Sequence, residues 1–227
     1  MGRAITTTMT TEAQLLRLMT WLSPAFPVGA FGYSHGLETA IREGLVRDAD
    51  TLAAWVGGLV EFGGGWTDAV LFTAAWEASA ARDALALAEL VELAEALAPT
   101  LERRRETLAQ GEAFLVAARA WGPPELNGPV AYPVAVGSAA ARAGIPAGAA
   151  LTAWLHAFCA NLVSVAVRAI PIGQTDGVAV IAALEPTILA TAGRAAASTL
   201  DDLGACALNS DIAAMRHETL DGRLFAS

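Results

Sequence analysis

The chain has 227 residues and a formal charge of −9, and all fourteen of its basic residues are arginines. The lack of lysine excludes a P-loop nucleotide site, Schiff-base chemistry and a lysine general base. The acidic balance argues against nucleic acid and anionic lipid as partners, because both need clustered positive charge.

Composition favours helix throughout. The hydrophobic fraction is 55%, alanine is abundant, and no segment shows the two-residue alternation of a half-buried strand. The sequence predicts one all-α domain over residues 1–227, a bundle of roughly ten helices. Residues 1–10 are expected to be flexible, and residues 220–227 to form a docking tail, either on this domain or on another protein. Two cysteines and no signal-peptide-like apolar block predict a cytoplasmic protein.

The first predicted helix begins at Thr11 and stops at Ser23-Pro24. The loop that follows, residues 23–34, holds two prolines, two glycines and three aromatic residues, so we expect an ordered loop and not a linker. Further helices are predicted over residues 35–43, 50–62, 67–80, 83–97, 101–121, 134–143, 147–169, 174–184, 186–200 and 211–219.

Two charged segments have simple interpretations. The run Arg103-Arg104-Arg105, flanked by Glu102 and Glu106, is expected to be a solvated helix face. Glu89, Glu92 and Glu95 form an acidic face with no lysine to pair with, which indicates either a solvated face or a basic partner protein.

Residues 143–167 carry no formal charge, which raises a membrane alternative. Pro146, Gly148, His156 and Asn161 interrupt the stretch, and its smoothly helical part is shorter than the roughly 20 residues of a bilayer span. A buried helix is the preferred interpretation, with no membrane as partner.

One catalytic motif is present. Residues 32–36 satisfy G-x-S-x-G, with Ser34 as the candidate nucleophile and Asp211 and His217 downstream. In α/β-hydrolases this turn follows a strand, and no strand is predicted here. A chance match is the preferred interpretation, and a serine hydrolase using Ser34 is the alternative function.

Metal ligation has weak support. His156 and Cys159 lie at i, i+3 on one predicted helix and could face one ion. Two ligands do not complete a site, so we interpret them as core residues and predict no resident metal.

Several segments together resemble one family, the UreF urease accessory proteins. The similar segments are 15–18, 23–38, Glu106 with Gln110-Gly111, 132–137, 153–158, 169–174, 211–219 and 223–225. They span nearly the whole chain in order, which makes the resemblance more specific than any single motif above.

The resemblance implies an all-α homodimer that is not an enzyme and binds no cofactor itself. It implies a scaffold in urease maturation that bridges UreD (also called UreH) and the GTPase UreG. GTP would be bound by UreG, and nickel would pass through the complex to apo-urease. The family's tail arginine, here Arg223, would lie near the loop around Tyr33 when UreD is bound.

The loop and the tail supply the expected partner-binding residues, which are Pro24, Pro27, Gly29, Tyr33, Ser34, His35, Gly36, Glu38, Arg216, His217, Glu218, Arg223 and Phe225. Sparse polar groups suit a transient nickel path better than tight chelation does, and His35, Glu38 and His217 are the candidates. Asp221 is a candidate ion-pair partner for Arg216.

Overall fold

The computed structural model describes residues 10–226, and all regular structure in this range is helical. The ten α-helices are α1 (Glu12–Trp21), α2 (Leu37–Arg42), α3 (Ala49–Phe62), α4 (Gly64–Ala81), α5 (Ala84–Ala96), α6 (Leu101–Ala118), α7 (Tyr132–Arg142), α8 (Ala147–Ala169), α9 (Gln174–Ala195) and α10 (Leu208–His217). Three 3₁₀ turns lie between them, at Ala30–Gly32, Arg119–Trp121 and Leu200–Asp202. The predicted all-α fold is confirmed. Most of the segment predicted as flexible, residues 1–9, lies outside the described residues.

Side-chain caps explain where several helices begin. The Thr11 hydroxyl accepts a hydrogen bond from the backbone N–H of Gln14, whose side chain accepts from the N–H of Thr11. The Asp48 carboxylate caps α3 in the same way, and the Thr100 hydroxyl accepts from the N–H of Arg103 at the start of α6. Each cap satisfies a donor that the first helical turn leaves without a partner.

The core is built around α4. This helix packs against α7 along its length, α7 also contacts α6, and α9 packs on both α8 and α3. At Gly137 of α7, an added Cβ would lie 2.4 Å from the Phe72 carbonyl oxygen of α4. The backbones of α4 and α7 are therefore in direct contact, and glycine makes this approach possible.

The prediction of two helices on either side of Pro186 is wrong, because α9 continues through it. Proline removes the hydrogen bond to the Ala182 carbonyl, which normally breaks a helix. Here both Pro186 and Ala182 are exposed, so water can solvate that carbonyl. The flanking Leu184 and Ile188 are each 3% exposed, and their packing holds the helix in place.

Two helices, α8 and α9, are long and apolar enough to cross a membrane when judged by length and composition alone. Half of the apolar window in α8 and a third of that in α9 are buried inside the bundle. Core helices of soluble proteins pass the same test, so these two helices are weak evidence for a membrane protein.

Candidate partner-binding site

The loop between α1 and α2 is anchored at several points. The Phe26 ring packs against Phe114 of α6, with the ring centroids 5.6 Å apart. The Arg168 guanidinium of α8 donates to the Phe31 carbonyl at 2.7 Å. Pro24 and Pro27 are exposed on the outside of the loop. The loop is therefore fixed from within and presents its prolines to solvent.

The start of α2 touches α10 directly. Gly36 has φ +76°, and a Cβ added there would lie 2.6 Å from the backbone nitrogen of Ala214. His35 also has a positive φ, 52°, which is uncommon outside glycine. Gly29 in the loop has φ +73° but open space around it. This close contact brings the loop and the last helix together, although about 180 residues separate them in sequence.

Beneath the loop lies a buried group of charges, here called the Glu106 cluster, formed by His35, Asp68, Arg103, Glu106 and Gln110. Glu106 Oε1 lies 2.9 Å from His35 Nε2 and accepts from Gln110 Nε2 at 3.0 Å. The Arg103 guanidinium donates to Glu106 at 2.7 Å and to Asp68 at 3.3 Å. The arginine thus joins α6 to α4, and the histidine joins α6 to the loop.

The burial of this cluster sets its protonation. Burial opposes ionisation of Glu106, but the charges of Arg103 and His35 outweigh it and lower the pKa of Glu106 to about 2. Burial raises the pKa of Asp68, and Arg103 only partly offsets it. Burial and then the Glu106 charge raise the pKa of Tyr33. Glu106 is therefore the fixed negative charge of the cluster.

The Glu106 cluster lies between two cavities. One, of 270 Å³, opens beside the loop and is lined by aromatic residues that include Phe26, Tyr132 and Trp154. The other, of 260 Å³, lies toward α5 and α10. Asp68, Arg103 and Thr107 line both, so the charged cluster separates the two spaces.

A second group, here called the Glu38 cluster, joins α2, α6, α10 and the tail through Glu38, Arg42, Glu102, His217 and Arg223. His217 is fully buried, with Nε2 at 3.3 Å from Glu38 Oε2 and Nδ1 at 2.8 Å from Glu102 Oε2. Arg42 donates to Glu38 at 2.7 Å, and Arg223 donates to Glu102. Glu102 precedes Arg103 in α6, so the two clusters are adjacent.

The tail is held on the protein's own surface by its backbone. The N–H groups of Leu224 and Phe225 donate to the Glu38 carboxylate at 2.9–3.1 Å, and Ala226 N donates to the Gly32 carbonyl at 2.7 Å. The Phe225 ring is 7% exposed and lies 4.8 Å from the Arg168 guanidinium. Burial disfavours ionisation of Glu38, but these N–H donors, His217 and Arg42 hold its pKa below the usual value.

Two predicted residues at the end of α10 are exposed. Arg216 pairs with Glu43 at 2.9 Å, so the pairing with Asp221 considered from the sequence is wrong. The Asp221 carbonyl instead accepts from Arg42 at 2.7 Å. The Glu218 carboxylate accepts from the N–H of Leu101 and so caps the start of α6.

Comparison with known proteins identifies the family of the chain. The UreF family model matches residues 46–185. The chain is 54% identical to urease accessory protein UreF of Mesorhizobium japonicum over 94% of this chain and 96% of that protein, and 54% identical to that of Rhizobium etli over the same shares. It is 50% identical to urease accessory protein UreF 1 of Brucella canis over 94% of each. The chain belongs to the UreF family.

In this UreF-family protein, the serine of the G-x-S-x-G pattern is not placed as a hydrolase nucleophile. Ser34 is fully buried and its hydroxyl accepts from the N–H of Glu38 at 3.4 Å. No strand precedes it within residues 10–226, whereas a nucleophile elbow exposes its serine after a strand. The downstream histidine, His217, lies between Glu38 and Glu102 instead.

The candidate metal ligands do not form a complete coordination site either. The interpretation of both as core residues is wrong for His156, which is exposed, and right for Cys159, which is buried. Burial raises the pKa of the Cys159 thiol to about 12. His35 belongs to the Glu106 cluster, whereas Glu38 and His217 belong to the other. Across the described part of the chain, no group of three or more His, Cys, Asp or Glu side chains has a geometry that could hold a metal ion.

Sequence reasoning did not assign six residues of the two clusters to this UreF-family site, which are Arg42, Asp68, Glu102, Arg103, Glu106 and Gln110, although Glu106 and Gln110 belong to the segments that carry the resemblance. The expectation of a solvated Arg103–Arg105 face is wrong for Arg103, whose side chain is 12% exposed, although Arg104 and Arg105 are exposed. One signal was available: Asp68 is the single charged residue between positions 63 and 76. A lone carboxylate in a buried apolar helix needs a cationic partner.

Proposed function

We propose that this protein is a scaffold in urease maturation that bridges UreD and the GTPase UreG and couples GTP hydrolysis on UreG to nickel insertion into apo-urease. Membership of the UreF family, whose named relatives are urease accessory proteins, supports a role in urease maturation and interaction with other urease accessory proteins. The assignment of UreD and UreG as the specific partners is our own proposal. In this proposal the protein is cytoplasmic, is not an enzyme and holds no cofactor of its own.

The observation that carries the proposal is the convergence of the loop and the tail on Glu38. The carboxylate accepts from two tail N–H groups and contacts His217, so the geometry of the site depends on the tail. Phe31 and Leu224 lie on the two segments so joined and remain 65% and 72% exposed. Exposed large apolar side chains held on an ordered surface favour protein binding over a ligand pocket.

The proposed residue assignments follow from this surface. Pro24, Pro27, Gly29 and Tyr33 would contact a partner from the loop side. From the tail side the contacts would be made by Arg216, Glu218 and Arg223. Ser34, His35, Gly36, Glu38, His217 and Phe225 are buried and would act by holding that surface in shape.

A homodimer is also part of the proposal. The outer face of α9 carries Val178 and Leu189, which are 69% and 60% exposed. Their helical spacing places them on one stripe with Ala182 and Glu185. A second copy of the chain would remove the Val178 and Leu189 side chains from water.

Nickel is the cargo in this proposal and would pass through the complex without a resident site. The two cavities that meet at the Glu106 cluster support an internal route, with His35 on one side of it. Glu38 and His217 are the further candidates for transient contact. Weak, separated ligands would allow release, whereas a closed set would retain the ion.

The experiment is co-purification of tagged protein with UreD and UreG, followed by a urease activation assay. The variant Glu38→Gln removes the charge that the tail N–H groups face, and Glu112→Gln is the control at an exposed glutamate of α6. We expect Glu38→Gln to reduce UreG recovery and urease activation while Glu112→Gln changes neither. Intact assembly with lost activation would assign Glu38 to the nickel path instead. Failure of the unmodified protein to recover UreD or UreG would refute the bridging function.

A further inference from the structure

Residues 221–226 of the tail lie in a groove whose walls belong to the folded bundle. The walls come from the loop and from the helices α2, α6 and α8, through Gly32, Glu38, Arg42, Glu102 and Arg168. These walls are tied to one another without the tail, because α2 packs on α8 and Arg168 donates to the Phe31 carbonyl. We therefore expect the groove to keep its shape when the tail leaves.

Five backbone groups of the tail bond to the groove. Two carbonyl groups, at positions 221 and 222, accept from the Arg42 guanidinium at 2.7 and 2.6 Å. Three N–H groups, at positions 224, 225 and 226, donate to the Glu38 carboxylate or to the Gly32 carbonyl at 2.7–3.1 Å. Main-chain bonds of this kind do not depend on side chains, so another chain in the same backbone conformation can make them.

Two side chains of the tail supply selectivity. The Phe225 ring is 7% exposed and lies 4.8 Å from the Arg168 guanidinium, which favours an aromatic ring at this position. Arg223 donates to Glu102, which favours an arginine two residues earlier. Leu224 lies between them in sequence and is 72% exposed. The groove thus selects an arginine, then a residue of any type, then an aromatic residue.

An empty groove would leave Glu38 short of donors. Its carboxylate is 2% exposed and receives N–H groups from the tail as well as the Arg42 guanidinium. Hydrogen bonds to a charged group are among the stronger ones, so the loss of the tail donors is unfavourable. A second chain that brings equivalent N–H groups and an aromatic ring restores these contacts, so exchange of one occupant for another is favoured over an empty groove.

We propose that this groove is a peptide-binding site occupied by the protein's own tail. A partner protein displaces the tail with a segment of its own, which carries an arginine and, two residues later, an aromatic side chain. The tail is then a competitor that keeps the groove closed until such a segment is present. This inference does not depend on which urease accessory proteins bind the protein.

The test measures binding of a fluorescent peptide with the sequence of residues 220–226 and blocked ends, by fluorescence anisotropy. In the unmodified full-length protein the tail competes at an effective concentration in roughly the millimolar range, so the peptide should bind only weakly. The full-length variant Phe225→Ala loosens the tail and should bind the peptide at least about tenfold more tightly. In the unmodified protein, excess peptide should also accelerate hydrogen exchange at the amides of residues 224–226, because it displaces the tail.

Changes in the peptide and in the groove locate the binding. Replacing the phenylalanine of the peptide by alanine should abolish binding to the Phe225→Ala protein, whereas replacing its leucine by alanine should not change the affinity. Arg168→Gln, added to the Phe225→Ala protein, should weaken peptide binding by about tenfold, the loss expected for one charge-assisted contact. Arg105→Gln removes an exposed arginine of α6 and should leave the affinity unchanged.

The proposal is overturned if the Phe225→Ala protein does not bind the peptide, or if the peptide binds equally well without its phenylalanine. An oligomer of the unmodified protein that dissociates when peptide is added would indicate exchange of tails between copies, and would overturn the assignment to a partner protein. The measurements contain neither UreD nor UreG. Their failure would therefore leave the bridging function standing, and failure of the bridging experiment would leave this site standing.

Discussion

The central glutamates of the Glu106 and Glu38 clusters are equally buried, but the two clusters are held by different parts of the chain. Each is centred on a glutamate whose side chain is 2% exposed. Glu106 is satisfied by side chains from the loop and α6, and through Arg103 it is linked to α4. Glu38 is satisfied in large part by backbone N–H groups of the last few residues. A carboxylate bound by rigid helices is a fixed structural element, whereas one bound by a chain end can lose its partners without unfolding the bundle.

This difference assigns separate roles to the two clusters. The Glu106 cluster fixes the position of the loop on α4 and α6 through side chains of the folded bundle. The Glu38 cluster sets whether the tail lies against the loop, and so whether Phe31 and Leu224 form one surface. Partner binding can therefore act on the second cluster while the first keeps the framework constant.

The largest effect is expected from Arg103→Met. Arg103 is the cation between Glu106 and Asp68, and its loss leaves a buried carboxylate without its main partner. The free energy of unfolding should fall by about 3–5 kcal/mol, measured by urea denaturation. Arg104→Met, which breaks a half-exposed pair with Glu95, should cost less than about 1 kcal/mol. Similar losses in the two variants would contradict a structural role for the Glu106 cluster.

Gly36→Ala should disrupt the contact between α2 and α10 by a steric clash. The new Cβ would meet the backbone of Ala214 at 2.6 Å, and that contact joins α2 to α10. Gly44→Ala is the matched control, since Gly44 also has a positive φ, +73°, but has nothing within 4 Å. Gly36→Ala should be less stable than Gly44→Ala by about 1–3 kcal/mol in urea denaturation, the cost of overpacking. Equal stability would show that α10 can move away freely.

Local patterns in the sequence predicted much of the fold, because helix periodicity and caps act over a few residues. Thr11 predicts the start of the first helix, and the apolar spacing gives most of the helices in the chain. The continuation of α9 through Pro186 could not be predicted, since it depends on which face is exposed. Ionic partners such as Arg103 with Asp68, or His217 with Glu102, are brought together only by packing of distant helices. The charges in the sequence showed what needed a partner, but not which one.

Protonation of the Glu106 and Glu38 clusters at low pH should reduce the stability of the protein to different extents. The pKa of Glu106 is lowered to about 2 from 4.5, and the pKa of Glu38 is also lowered. A group with a lowered pKa binds fewer protons when folded, so its stabilisation is complete above its ordinary value and is lost as the pH falls toward its folded value. The raised pKa of Asp68 acts in the opposite sense, because its protonation on acidification relieves the cost of a buried charge.

The urea concentration at the unfolding midpoint should therefore decrease as the pH is lowered from about 5 to about 2. Glu106→Gln should flatten this decline more than Glu38→Gln does, because the tail can detach from a protonated Glu38 at little cost to the bundle. An unchanged decline in Glu106→Gln would contradict the assignment of the pH dependence to the Glu106 cluster.

The smallest change in global stability is expected from Phe225→Ala. Phe225 is 7% exposed beneath Arg168, while its neighbour Leu224 is 72% exposed, so Leu224→Ala is the control. The tail can open before the bundle unfolds, which limits the loss of unfolding free energy in Phe225→Ala to about 1 kcal/mol or less. Hydrogen exchange at the amides of residues 224–226 should nevertheless accelerate by at least about tenfold, because burial of the ring adds to the backbone hydrogen bonds that hold the tail closed. Amides of α6 around Glu106 should keep their exchange rates. Acceleration in α6 as well would mean that the tail and the Glu106 cluster open together, and that the two regions are one cooperative unit.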